Sequence, residues 1–127
     1  MPGFRGYIFS RKIDSNFIPQ RVQNLVIKDY CERSNLFFKL SATEYKMSKS
    51  YLMLNTILKE IQKIDGIVFH SLFMLPENKK DRHKIYDKIL NNKKQLHFSL
   101  EEIKLIKSVD IKKIEDIYQI KNSSKKL

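Results

Sequence analysis

Two hydrophobic rhythms alternate along the chain. Short strand-like runs occur at Gly6-Tyr-Ile-Phe9, Leu36-Phe-Phe-Lys-Leu40, Ile67-Val-Phe69 and Gln95-Leu-His-Phe-Ser99, and the unbroken apolar Ile67-Val-Phe69 suits a strand buried on both faces. Between them apolar residues return every three or four positions. Val22, Leu25, Val26 and Tyr30 fall at i, i+3, i+4 and i+8, which predicts an amphipathic helix over 20–33 with those four as its buried stripe, entered at Pro19. Leu54, Ile57, Leu58 and Ile61 predict a second helix from about Ser50, closing near Asp65-Gly66. Ile85, Tyr86, Ile89 and Leu90 mark a third over 78–92, with Asn78 as its N-cap and Asp81 in the first turn, where the helix dipole favours an anion. Ile103 to Ile106 reads as a short edge strand, and Asp110 caps a brief helix through Ile111, Ile114 and Tyr118.

Four strands alternating with three helices call for parallel pairing through right-handed crossovers. The predicted fold class is therefore α/β: a small three-layer sandwich around a mostly parallel sheet of four or five strands, order 2-1-3-4. Residues 1–121 form the single domain and 122–127 a frayed basic tail. Sites in such folds gather beyond the carboxyl ends of the strands, where the strand order reverses. Here that crevice lies between the first and third strands. It would be lined by Ser10, Arg11, His70 and Ser71, with Thr43, Glu44, His97 and Glu101 on its flanks.

The chemistry of those residues suggests an anionic, hydroxylated ligand. Arg11, beside the start of the first helix, could hold a phosphate or carboxylate, or lie over the surface. Ser41-Ala-Thr-Glu-Tyr45 reads as a polar loop leaving the second strand, in which Glu44 is a candidate general base and Thr43 and Tyr45 orient a ligand. His97 and Glu101 are further candidate proton carriers, although His97 alternates with Leu96 and Phe98 and could equally be a satisfied histidine within the sheet. No histidine pair has the helical spacing of a specific metal site, and Gly-x-Gly-x-x-Gly, the P-loop and Gly-x-Ser-x-Gly are all missing. With three glycines in all, the expectation is no metal and no cofactor.

Composition narrows the setting. A net charge of +11 invites a polyanion partner. Yet only five of the 25 basic residues are arginine (Arg5, Arg11, Arg21, Arg33 and Arg82) and the lysines are spread throughout, which argues against a nucleic-acid partner, since arginine is the side chain suited to bidentate phosphate contacts. One cysteine, Cys31, excludes an intramolecular disulfide. No apolar run approaches the roughly 18 residues of a membrane span, and no signal-peptide core opens the chain. A cytoplasmic protein is expected.

Two resemblances follow. Gly6-Tyr-Ile-Phe-Ser10 looks like the first strand and nucleophilic serine of the serine recombinase (resolvase) catalytic domain, and Gly66 to Leu75 looks like its third strand. Phe73, Met74 and Glu77 stand where that family's pattern has an acid and two arginines, so the resemblance implies the fold and not the recombination. The chain also resembles the sporadic carbohydrate cluster family, small bacterial proteins encoded among surface-polysaccharide genes. The residues that carry this likeness include Ser10-Arg11, Gln23 to Cys31, Leu40-Ser-Ala-Thr-Glu-Tyr45, Tyr51-Leu-Met-Leu54, Ser71 to Pro76, and Leu96-His-Phe98 with Glu101. It implies a setting of lipopolysaccharide or capsule synthesis. The sequence-based expectation is thus an accessory protein or small enzyme that binds a sugar phosphate or nucleotide sugar, or pairs with glycan-synthesis enzymes, with a homo-oligomer left open. The alternative is a catalytically inactive resolvase-like interaction or nucleic-acid-binding module.

Overall fold

The structure, a computed structural model, describes residues 2–125, with side chains as far as Lys121. Five strands form one sheet: β1 (Phe4–Phe9), β2 (Phe38–Glu44), β3 (Gly66–Phe69), β4 (Gln95–Phe98) and β5 (Ile103–Leu105). Their order is β2-β1-β3-β4-β5. The first four are parallel, and β5 returns antiparallel to β4. The helices are α1 (Gln20–Arg33), α2 (Leu52–Lys59), α3 (Lys79–Asn91) and α4 (Asp110–Lys125). α1 covers one face, over Phe4, Ile8 and Val68. On the other face α2, α3 and α4 pack against Tyr7, Phe9, Ile67, Phe69, Leu96 and Phe98. The α/β sandwich and its strand order agree with the sequence reading, β5 simply extending the order by one.

Side-chain chemistry sets the boundaries. Pro19 opens α1, its carbonyl accepting from the backbone N–H of Val22 and Gln23, and Asn35 just beyond the helix takes a left-handed φ of 57°, a conformation asparagine tolerates. Asn78 caps α3, its Oδ1 accepting from the N–H groups of Lys80 and Asp81. Gly66 starts β3 because nothing larger fits: a Cβ there would lie 2.0 Å from the Gln95 carbonyl oxygen and 2.8 Å from the Phe4 ring. α4 is longer than the brief helix expected and carries the backbone through 122–125, the first part of the expected tail; the final two residues lie outside those described. No helix among the described residues is long and apolar enough to cross a membrane.

Two local readings are corrected. α1 is rotated relative to the predicted stripe: Gln23, Ile27, Tyr30 and Cys31 face inward, while Val22 and Leu25 are 43% and 56% exposed. The buried Gln23 fixes the rotation, because its amide bonds both the N–H and the carbonyl of Phe9, and the Ile18 carbonyl besides. The second correction concerns Ser41-Ala-Thr-Glu44, which is strand and not loop. These residues pair in register with Gly6, Tyr7, Ile8 and Phe9, and burial of Ala42 and Glu44 alternates with the half-exposed Ser41 and Thr43, as a pleated strand requires.

Candidate binding site

Glu44, expected as a general base, is instead the structural hub at the end of β2. Its carboxylate is buried and accepts from five donors: the Tyr7 hydroxyl (2.8 Å), the Ser50 hydroxyl (3.2 Å) and the backbone N–H groups of Tyr45 (3.0 Å), Met53 (3.1 Å) and Leu54 (3.1 Å). The last two belong to the first turn of α2, whose dipole favours an anion there. Burial on its own would raise the Glu44 pKa, but the hydrogen bonds from Met53, Tyr7, Tyr45 and Leu54 together hold it below the usual glutamate value. A carboxylate so fully engaged has no lone pair directed at a substrate.

His97 sits on the opposite, α1 face. Its ring lies edge-on to Phe4 and Tyr30, 2.6 Å from the Tyr30 hydroxyl through Nδ1 and 2.8 Å from Gln95 Oε1 through Nε2. Burial, with Lys104 nearby, pushes its pKa down to about 4. It is the satisfied sheet histidine, and it does not meet Arg11 or Glu44. A pH dependence follows. The unfolded chain takes up a proton at the ordinary histidine value near 6.5 while the folded state resists, so this contribution is complete above pH ~6.5 and declines towards pH 4 by up to about 1.4 kcal/mol per pH unit. Chemical denaturation at pH 7, 6 and 5 should show a shallower fall for His97→Gln than for the parent.

Glu101 ties the segment after β3 in place, accepting from the Ser71 hydroxyl (2.7 Å) and the Leu72 N–H (2.8 Å). Burial raises its pKa against those bonds. Ser71 also accepts from the Phe73 N–H. His70 is buried, its Nδ1 without a hydrogen-bond partner, and burial lowers its pKa. Thr43 shares by alternation the face of Ser41, whose hydroxyl donates to Asn24 on α1, and the Tyr45 ring is half exposed. The Ser10 hydroxyl donates to the Glu44 carbonyl (2.7 Å).

Of the nine expected residues, Arg11 alone lines the crevice between the ends of β1 and β3. That crevice is a cavity of about 830 Å³ walled by the segments after β1, β2 and β3 and by Tyr118 of α4. Arg11 is clamped: one terminal nitrogen donates to the carbonyls of Tyr45 (2.9 Å) and Met47 (3.3 Å), and the guanidinium lies 4.0 Å over the Phe9 ring and 5.3 Å from that of Tyr51. Among the described residues it has no carboxylate partner, whereas Arg5 and Arg82 each have one and Arg33 has two. Lys12, Lys46 and Lys49 line the same cavity, as do Glu77, Asn78, Asp81 and Asp14, the last paired with Lys121. These residues carried no motif. A cue was present in the lysines just after two strand ends. Among the described residues no three His, Cys, Asp or Glu side chains gather as a metal site would require.

The comparisons bear on this arrangement through the fold. The N-terminal catalytic domain of TP901-1 integrase, a crystal structure, superposes with a TM-score of 0.59, covering 96% of this chain and 97% of that one at 14% identity. The likeness establishes a resolvase-like fold. No family model matches the chain, and no curated protein does, so the sporadic carbohydrate cluster resemblance gains nothing from them. The resolvase-like reading is the one that gains. Within that fold Met74 is buried and Glu77 lines the crevice, so the two positions where the resemblance places arginines hold an apolar and an acidic side chain, while Phe73, at the acid position, stacks on Tyr118 at 5.9 Å between ring centroids.

Proposed function

We propose that this chain is a resolvase-fold binding module without strand-exchange chemistry, and that its partner is a nucleic acid held at the basic segments after β1 and β2. The observation that carries this is Arg11, a clamped guanidinium with no carboxylate partner among the described residues, flanked by Lys12, Lys46 and Lys49 at the crevice. Support comes also from the fold it shares with an integrase catalytic domain, which outweighs the argument from the small number of arginines. Chemistry of the recombinase kind is left out because a phosphodiester transition state needs fixed positive charge around it, and Met74 and Glu77, at the places of the two arginines, supply none. A labelled DNA duplex should bind at about 50 mM salt, with log K falling against log salt by about 0.9 per phosphate contacted, and Lys46→Ala should reduce that slope by about one. No binding at low salt, or a slope indifferent to Lys46, would sink the proposal.

A second reading keeps the crevice and changes the ligand to a sugar phosphate or nucleotide sugar. Opposed charges in one small cavity favour it: Arg11 and the lysines suit a phosphate, while Glu77 and Asp81 suit hydroxyl donors. Thermal-shift titration with sugar phosphates and nucleotide sugars separates the two readings. A concentration-dependent rise abolished by Arg11→Ala supports this one; no rise with any anionic sugar removes it.

A further inference from the structure

Beside the crevice, α2 and α3 flank a groove of about 720 Å³. α2 gives it Leu52, Asn55, Thr56 and Lys59, and α3 gives it Asp81, Lys84, Ile85 and Lys88. Each set is spaced i, i+3, i+4, i+7, one continuous helix stripe turned to the same channel. Leu54, Leu58 and Ile85 form an apolar floor and belong to the core, whereas Leu52 at the lip is 58% exposed. Lys59, Lys84 and Lys88 have no ion-pair partner among the described residues, and Asp81 is the one acid in the lining. An apolar channel edged by uncompensated lysines is complementary to an amphipathic helix with an acidic polar face. Two copies of the groove, each edged by lysines, repel one another, so the groove does not pair with itself.

We infer that the groove between α2 and α3 docks an acidic amphipathic helix of a partner protein. The occupant's apolar residues lie between Leu52 and Ile85, and its carboxylates meet Lys59, Lys84 and Lys88. The stripes extend about 12 Å, or two to three turns of the bound helix. Tyr51, Pro76 and Asp81 wall both this groove and the crevice, so the two partners sit side by side. This inference does not depend on what occupies the crevice.

The test uses the full chain and two fluorescein-labelled synthetic peptides of identical composition. One places leucines at i, i+3, i+4 and i+7 with glutamates between them; the other is scrambled. Anisotropy should show the amphipathic peptide binding at least about tenfold tighter, and Leu52→Ser should remove about that factor by taking one leucine's burial from the interface. Lys84→Glu combined with Lys88→Glu should abolish binding, while Lys46→Ala in the crevice leaves it unchanged. Equal affinity for both peptides, or indifference to Leu52→Ser, overturns the inference. So does tighter binding to phosphatidylserine vesicles with the same dependence on Leu52, which would assign the surface to a membrane.

Discussion

Replacing Glu44 by alanine is expected to cost about 4 kcal/mol of unfolding free energy, because buried donors left without an acceptor cost about 1–3 kcal/mol each and water can reach only some of them. The variant strips the acceptor from the Tyr7 hydroxyl, the α2 first turn and the segment joining β2 to α2 at one stroke. Glu44→Gln should be nearly as damaging, since it turns an NH2 group towards N–H donors. Urea denaturation at pH 7 measures both; a loss below about 1 kcal/mol for Glu44→Ala would contradict the hub. The pH response has a definite sign. With its folded pKa held below the unfolded one, Glu44 contributes stability that is present above the ordinary glutamate value near 4.3 and disappears as pH falls through the lower folded value.

The second large effect concerns Arg82, the biggest fully buried side chain. Its guanidinium meets Glu115 bidentately at 2.9 and 2.8 Å, donates to the carbonyls of Pro76 and Glu77, and lies 4.0 Å over the Tyr118 ring. Tyr86 adds a hydroxyl donor to the same carboxylate at 2.6 Å. Arg82→Met leaves the Glu115 carboxylate uncompensated and should lose about 3–5 kcal/mol. Lysine should not rescue it, having no planar fork to match the carboxylate. Removing both charges as Arg82→Met with Glu115→Met should recover most of the loss, because a hydrophobic replacement of similar volume spares the desolvation of two ions. Thermal unfolding of the three variants decides it: a double variant as weak as the single one would mean the pair stabilises outright.

The fold was legible because its signals are periodic. Buried runs, helical spacings and the Asn78 cap each named an element that the structure contains. What failed was information held by tertiary contacts. Ser41 to Glu44 reads as polar loop because a strand end with a serine, a threonine and a glutamate has no hydrophobic signature; only its register with β1 makes it strand. α1 follows Gln23, whose inward turn towards Phe9 overrides the apolar stripe. Of the candidate site, the sequence pointed to a crevice and to one of the residues that line it, Arg11. Strand order located the crevice between β1 and β3, and Arg11 is there. Glu44 and His97, one residue type apiece for general-base chemistry, lie on opposite faces of the sheet and serve the fold. The lysines after two strand ends and Tyr118 in the last helix were visible locally, but their convergence on one crevice, like the burial of Arg82 against Glu115, is set by residues tens of positions away.

Tyr118 stands late in the chain, yet it walls a crevice whose other sides come from the segments after β1, β2 and β3. Synthesis from the amino end therefore delivers Arg11 and the lysines before Tyr118, whose wall forms when α4 packs and Glu115 engages Arg82. Until then the emerging polypeptide offers its cations on an unfinished surface. A ligand that needs every wall of the crevice, as proposed above, can be held only once α4 has packed against the sheet.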